Sequence, residues 1–137
     1  MRSAPLLDTH AWIWWLARDE RLGPRLTAAL DGLPAQERPF LSDISLWEVA
    51  MLFERGRLHF TIPFDQWLET AAHARTVRLL PITPAVAAEV AALPKTFHRD
   101  PADRVIVATC RVLKLPLVSR DALITRSRLV KEWEAEK

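Results

Sequence analysis

The residues best able to do chemistry are carboxylates placed beyond short apolar segments of the chain. Asp8 and Asp121 each follow such a segment, and Glu48 lies one to two turns into the helix predicted after another. Asp100 and Asp103, three residues apart, open a further apolar helix. In open α/β sheets, sites form beyond the carboxyl ends of the strands. The acids therefore converge if these segments are neighbouring strands of one sheet.

A cluster of such acids implies a compensating positive charge. Two like charges ~4 Å apart cost about 4 kcal/mol at an effective dielectric near 20. Several carboxylates are tolerated together if some are protonated or if a cation lies among them. All-oxygen ligation suits a hard divalent ion, Mg²⁺ or Mn²⁺. The residue types therefore favour a metal site, provided that the strand order brings the acids together.

Each acid also has a local explanation, and the sequence leaves both open. Asp8 and Asp121 are suited to cap the helices that follow them. Residues 45–48, Ser-Leu-Trp-Glu, match a capping box. Asp100 fits an N-cap before a proline at the first helical position, and Asp103 is then a first-turn acid that the helix dipole favours.

Other catalytic chemistries find little support. The chain has only three glycines and no Gly-rich phosphate loop. Its one cysteine, Cys110, lies in an apolar helix and fits a core position better than a nucleophile. The histidines have no spacing typical of a zinc site; they are His10, His59, His73 and His98.

Length and charge bound the class of protein. At 137 residues the chain is predicted to form one domain, residues 1–137. Its 19 Lys and Arg against 17 Asp and Glu give a net charge of +2, which permits nucleic-acid binding without arguing for it. No apolar run is long enough to span a membrane, and the N-terminus lacks a signal peptide's apolar core. We therefore expect a cytoplasmic protein that does not bind membranes.

Short apolar strands alternate with helices, which predicts an α/β fold with a mainly parallel sheet covered on both faces. The predicted strands are residues 5–7, 39–42, 77–80 and 115–119, with residues 129–133 as a further edge strand. The predicted helices are residues 9–18, 24–33, 44–55, 63–75, 84–93, 102–113 and 122–125.

Four segments resemble, in order, the motifs of PIN-domain ribonucleases, and in particular of VapC-type toxins from toxin–antitoxin pairs. They are residues 6–12 (LLDTHAW), 45–50 (SLWEVA), 98–108 (HRDPADRVIVA) and 117–121 (LVSRD). Each motif alone is weak, but four in this order at PIN-like spacing are specific. The resemblance covers nearly the whole chain.

The resemblance implies a three-layer α/β/α PIN-like domain and a metal-dependent endoribonuclease. By motif, the acids expected to hold Mg²⁺ or Mn²⁺ and to carry catalysis are Asp8, Glu48, Asp103 and Asp121. Asp103 is preferred to Asp100 as a ligand because the apolar run at residues 105–108 follows it at the spacing of the family motif. Asp100, Ser119 and Thr9 are expected around the ligands, with Ser119 at a position where the family usually has Thr or Ser.

The implied reaction is in-line hydrolysis of an RNA phosphodiester by an activated water molecule, leaving a 5′ phosphate. Arg99, Arg104 and Arg120 are the candidates for RNA phosphate contacts by their position. The alternative for each is an ion pair with the same acids, which is the favoured interpretation for Arg104. The resemblance also implies a homodimer and a cognate antitoxin protein that covers the active-site groove.

The tryptophans are numerous for this length, at six. Trp12, Trp15, Trp47 and Trp67 occupy apolar helical faces and are expected in the core. Trp14 lies outside the apolar face of its helix, so we expect it to be partly exposed and to mark a dimer or antitoxin contact.

A second hypothesis comes from a different class: a non-catalytic PIN-like module that binds RNA or protein, with the acids serving as caps. A third is a phosphatase or DNA nuclease that uses the same acids. Metal dependence separates the second hypothesis from an enzyme, and substrate assays separate the third.

Overall fold

The computed structural model describes residues 4–134, which form a four-stranded sheet between two layers of helices. The strands are β1 (Leu6–Leu7), β2 (Phe40–Ser42), β3 (Arg78–Leu80) and β4 (Leu117–Val118). The helices are α1 (Thr9–Ala17), α2 (Pro24–Asp31), α3 (Asp43–Glu54), α4 (Phe64–Ala71), α5 (Pro84–Ala92), α6 (Pro101–Leu113) and α7 (Ala122–Thr125), with a short 3₁₀ helix at Ala35–Glu37. Within this part of the chain, no helix combines the length and the apolar character needed to cross a membrane.

The sheet has the strand order β3-β2-β1-β4, and all three pairings are parallel. Leu7 of β1 pairs with Leu41 of β2 on one side and with Val118 of β4 on the other. The predicted mainly parallel sheet is confirmed. Because β1 is central, the segments that leave β1, β2 and β4 start side by side at one edge of the sheet.

The two faces of the sheet bury separate cores, which confirms the three-layer α/β/α architecture. Leu6 packs on one face against α6, where Ile106 is fully buried. Leu7 packs on the other face against α1 and α3, where Trp12 and Val49 are fully buried. Burial of each such side chain contributes about 1.5–3 kcal/mol. These cores fix α1, α3 and α6 against the same strands, and with them Asp8 before α1, Glu48 in α3 and Asp103 in α6.

Two predicted elements differ from the structure. The predicted edge strand at residues 129–133 is a single parallel bridge between Glu132 and Leu117. The predicted helix at residues 63–75 ends earlier, at Ala71, because residues 72–76 form turns in which the Thr76 amide donates to the His73 carbonyl at 2.7 Å.

The tryptophans divide as expected with one exception. Trp12 and Trp15 are buried, Trp67 is partly buried and packs against the same core, and Trp14 is partly exposed. The prediction for Trp47 was wrong, because its side chain is 49% exposed. The inner face of α3 belongs instead to Ser45 and Val49, four residues apart and both fully buried.

Candidate metal centre

The carboxyl ends of β1 and β4 open into a cleft of about 290 Å³ that collects the predicted acids. Asp8 follows β1 directly, and its amide donates to the carbonyl of Val118 in β4 at 3.1 Å. The cleft is lined by Asp8, Thr9, His10, Trp14, Glu48, Asp100, Asp103, Arg120 and Asp121. The structure therefore brings together all four acids predicted as ligands, together with Asp100.

Asp8 caps α1 and lies at the floor of the cleft. One of its carboxylate oxygens, Oδ1, accepts from the Ala11 amide at 2.8 Å. The residue is only 5% exposed, and burial raises its pKa, although the Ser119 hydroxyl and the Ala11 amide both lower it by hydrogen bonding. Asp8 is therefore both a cap and a cleft residue, and the two explanations of this acid do not compete.

Glu48 reaches the cleft from the second turn of α3. The helix begins at Asp43 with Ser42 as its N-cap, so the capping-box alternative for residues 45–48 was wrong. Burial raises the pKa of Glu48, against a hydrogen bond from Thr9 that lowers it. The Thr9 hydroxyl also contacts the Ser45 hydroxyl at 2.9 Å, which fixes it between α1 and α3. Within the described residues, Glu48 Oε1 is buried and has no hydrogen-bond partner.

Asp103 is an acid whose pKa is raised by all four of the other carboxylates in the cleft. Asp100 caps α6 and accepts from the Asp103 amide at 2.9 Å, which confirms the predicted helix start. Burial, followed by the charges of Asp100, Asp8, Glu48 and Asp121, raises the pKa of Asp103 to about 8. Two carboxyl groups from one helix start thus have different surroundings, because Asp100 is exposed and Asp103 is mostly buried.

Ser119 lies between Asp8, which follows β1, and Asp121, which follows β4. Its hydroxyl hydrogen-bonds to Asp8 and accepts from the Asp121 amide at 3.0 Å. Asp121 itself caps α7, with its Oδ1 accepting from the Leu123 amide at 2.8 Å. Ser119 and Thr9, both expected around the ligands, therefore contact Asp8 and Glu48 respectively.

The three candidate arginines lie in different places. Arg120 lines the cleft, and its guanidinium donates to the Leu22 carbonyl at 2.7 and 3.1 Å. Arg104 does not pair with the acids, so that expectation was wrong. It donates to the carbonyls of Phe97 and His98 at 3.2 Å each and braces the segment before α6. Arg99 lines a separate depression between α5 and α6.

Comparison with known proteins agrees with this arrangement. Residues 6–127 match the family profile of the PIN domain. The chain belongs to the PIN-domain family. This PIN domain is 40% identical over 124 residues to Ribonuclease VapC22 of Mycobacterium tuberculosis (strain ATCC 25618 / H37Rv), covering 90% of this chain and 91% of the relative. That similarity places it among the VapC-type members of the family.

A solved structure shares the fold. A chain of a toxin–antitoxin complex from Klebsiella pneumoniae superposes on this PIN domain with a TM-score of 0.64 and 22% sequence identity. The superposition covers 93% of this chain and 95% of the other.

Three residues in or beside the PIN domain's cleft were not among the site residues predicted from the sequence. His10 and Trp14 line the cleft from α1, with their rings 5.6 Å apart. His98 precedes α6, and its Nε2 lies 3.3 Å from Asp103 Oδ2. The only sequence signal for His98 is its place two residues before Asp100, because the histidines lack metal-ligand spacing along the chain.

The donor set of this PIN domain fits a divalent cation. Glu48 Oε1 is a buried oxygen without a partner in residues 4–134, and buried polar atoms are ordinarily hydrogen-bonded or bound to an ion. Burial, and then the charges of four neighbouring carboxylates, raise the pKa of Asp103 at the same place. A cation among these acids gives Glu48 Oε1 a partner and offsets the repulsion between the carboxylates.

Proposed function

We propose that this protein is an endoribonuclease that requires Mg²⁺ or Mn²⁺ and that serves as the toxin of a toxin–antitoxin pair. The observation that carries the proposal is the acidic cleft, in which five carboxylates converge and burial, followed by the other four charges, raises the pKa of Asp103 to about 8. Capping alone does not require this convergence, because a cap needs only its own helix. The similarity to a mycobacterial ribonuclease supports RNA as the substrate.

In this proposal the cation is held by Asp8, Glu48, Asp103 and Asp121. It supplies the positive charge that activates water and neutralises the phosphodiester during cleavage. Ser119 orients Asp8, and Thr9 orients Glu48, through the hydrogen bonds described above. Asp100 adds negative charge at the rim, where it is exposed.

The arginines are assigned different roles by their contacts. Arg120 is the candidate for binding the RNA phosphate at the cleft, because its exposed guanidinium is held there by the Leu22 carbonyl. Arg99 is a candidate for a more distant phosphate along the strand. Arg104 donates to backbone carbonyls, so we propose that it positions residues 97 and 98 and does not bind RNA.

The proposed protein partners are a second copy of the chain and an antitoxin. Exposed large apolar side chains lie on α3, the helix that carries Glu48: Trp47 is 49% and Phe53 is 39% exposed. Trp14 is partly exposed at the cleft itself. Exposed aromatic residues of this kind are typical of protein interfaces. We propose that the antitoxin covers the cleft, and that the protein acts in the cytoplasm, where its RNA substrate is found.

Cleavage of RNA by the purified protein tests the proposal. Metal-stripped protein is incubated with total cellular RNA, and with DNA of matched sequence, before and after addition of Mn²⁺ or Mg²⁺. We expect metal-dependent RNA products with 5′ phosphates, lost in Asp8→Asn and retained in Asp65→Asn, an exposed acid in the first turn of α4. Metal-independent cleavage, or cleavage that survives Asp8→Asn, would contradict the proposal. Faster cleavage of DNA than of RNA would identify the protein as a DNA nuclease instead.

A further inference from the structure

His98 is a titratable side chain beside the cleft, next to Asp103, that the proposed function leaves without a role. Its ring nitrogen Nε2 is buried and has no hydrogen-bond partner in the described part of the chain. The same atom lies 3.3 Å from Asp103 Oδ2. His98, Asp103 and Asp121 each offer one ligand atom, and these three atoms all lie within 4.8 Å of one another.

The 3.3 Å between His98 Nε2 and Asp103 Oδ2 is close to the spacing of neighbouring ligands around one cation, and the third atom, from Asp121, lies within 4.8 Å of both. Adjacent ligand atoms on an octahedral ion with bonds of ~2.1 Å are about 3 Å apart. An imidazole nitrogen without a hydrogen bond has a lone pair or a proton available, and imidazole is the commonest nitrogen ligand for metals in proteins. His98 lies in the loop before α6, Asp103 in α6 and Asp121 after β4. Tertiary packing therefore brings the three ligand atoms together.

The backbone and ring of His98 are held in place by its neighbours. Arg104 donates to the carbonyl of His98 at 3.2 Å and to that of Phe97 at the same distance. The Phe97 ring packs edge-on against the imidazole with centroids 4.6 Å apart. Phe97 itself is buried in the core beneath α6. Such outer contacts orient a ligand before the metal arrives.

We infer that His98 is a nitrogen ligand of the divalent cation, beside Asp103 and Asp121, and that it makes the site prefer Mn²⁺ to Mg²⁺. The inference rests on the proposed metal-dependent function and adds one residue and a metal preference to it. Carboxylate oxygens bind Mg²⁺ and Mn²⁺ alike, whereas imidazole favours transition metals. A site of acids alone gives no such preference.

Pulsed EPR of bound Mn²⁺ tests the inference without reference to activity. A histidine nitrogen bound directly to Mn²⁺ produces nitrogen modulation of the electron spin echo. We expect this modulation in the wild type and its loss in His98→Ala and His98→Gln, two variants that differ in how much of the side chain they retain. His10→Gln is the matched control, because His10 is a histidine that lines the acidic cleft but is exposed and outside the three-residue set.

Calorimetric titration supplies the affinities. We expect His98→Ala to raise the dissociation constant for Mn²⁺ by about tenfold or more and that for Mg²⁺ by less. Bound Mn²⁺ without nitrogen modulation, or with modulation lost only in His10→Gln, would overturn the inference and leave the proposed enzyme intact. If the wild type binds neither ion, the metal-dependent function itself fails, and this inference fails with it.

Discussion

The N-termini of α5 and α6 are built alike but lie in different surroundings. Thr83 and Asp100 are the N-caps, each followed by a proline at the first helical position. Thr83 accepts from the Val86 amide at 3.2 Å, and Asp100 accepts from the Asp103 amide at 2.9 Å. The same local device thus starts both helices.

What differs is the third helical residue and what surrounds it. In α5 it is Val86, a side chain that is 1% exposed. In α6 it is Asp103, whose pKa is raised by the charges of acids on three other segments of the chain. A capped helix start is therefore no indication of function by itself. The function proposed for α6 depends on the residues that the sheet brings to it.

The largest expected difference between the two starts is in activity. Asp103→Asn removes a proposed ligand, and we expect RNA cleavage to fall about a hundredfold or more, because metal stabilisation of the reaction is worth several kcal/mol. Val86→Ala is the matched change in α5. It should cost about 2 kcal/mol of stability and leave cleavage by the folded protein unchanged.

Rates under single-turnover conditions, with the folded fraction measured by circular dichroism, check both variants. Comparable losses of activity in Asp103→Asn and Val86→Ala would mean that the two helix starts do not differ in function.

A pH dependence of stability is the next effect. The pKa of Asp103 is about 8 in the folded protein and 3.8 in a model peptide, so over this interval the folded state holds a proton that the unfolded chain has lost. The contribution is complete at low pH and is lost as the pH rises from about 4 to about 8. We therefore expect metal-free protein to become less stable across this window.

Urea unfolding in a chelator, from pH 5 to pH 8.5, measures the effect. The decline should be steeper in the wild type than in Asp103→Asn, and Mn²⁺ should reduce it, because the cation replaces the proton. Parallel curves for the two proteins would contradict the assigned pKa shift.

The smallest effect isolates the charge of the cap. Asp100→Asn keeps a good N-cap but removes the largest single charge that raises the pKa of Asp103. We expect metal-free protein to be slightly more stable and the affinity for Mn²⁺ to fall tenfold or less, by roughly 1 kcal/mol. Thr83→Asn, which also exchanges one good cap for another, should change neither.

Melting temperatures and Mn²⁺ titrations of these two variants make the comparison. A loss of Mn²⁺ affinity in Asp100→Asn as large as that in Asp103→Asn would make Asp100 a ligand and not a neighbour.

Much of the fold was accessible from local sequence signals. Apolar runs ended by acids predicted β1 and β4, and the Asp-Pro start predicted α6, since capping and proline preferences act within a few residues. Trp47 was misplaced because Ser45, a polar residue, occupies the inner face of α3 through its contact with Thr9. A pattern of apolar residues cannot identify a buried hydroxyl pair.

The site was only partly accessible for a related reason. A carboxylate that caps a helix and one that faces a cation occupy the same sequence position, so Asp8 and Asp121 could not be assigned from the sequence to one role. His98 approaches Asp121 because α6 and β4 pack in the same core. Contacts across 23 residues of chain depend on tertiary packing, which the spacing of histidines does not encode.

The central claim is that the acids of the cleft hold a divalent cation, and anomalous diffraction from Mn²⁺-soaked crystals tests it most directly. We predict an anomalous peak in the cleft, within ~2.3 Å of carboxylate oxygens of Asp8, Glu48, Asp103 and Asp121. A fully soaked crystal without a peak at these residues, and with Asp8, Asp100 and Asp121 acting only as caps, would contradict the account.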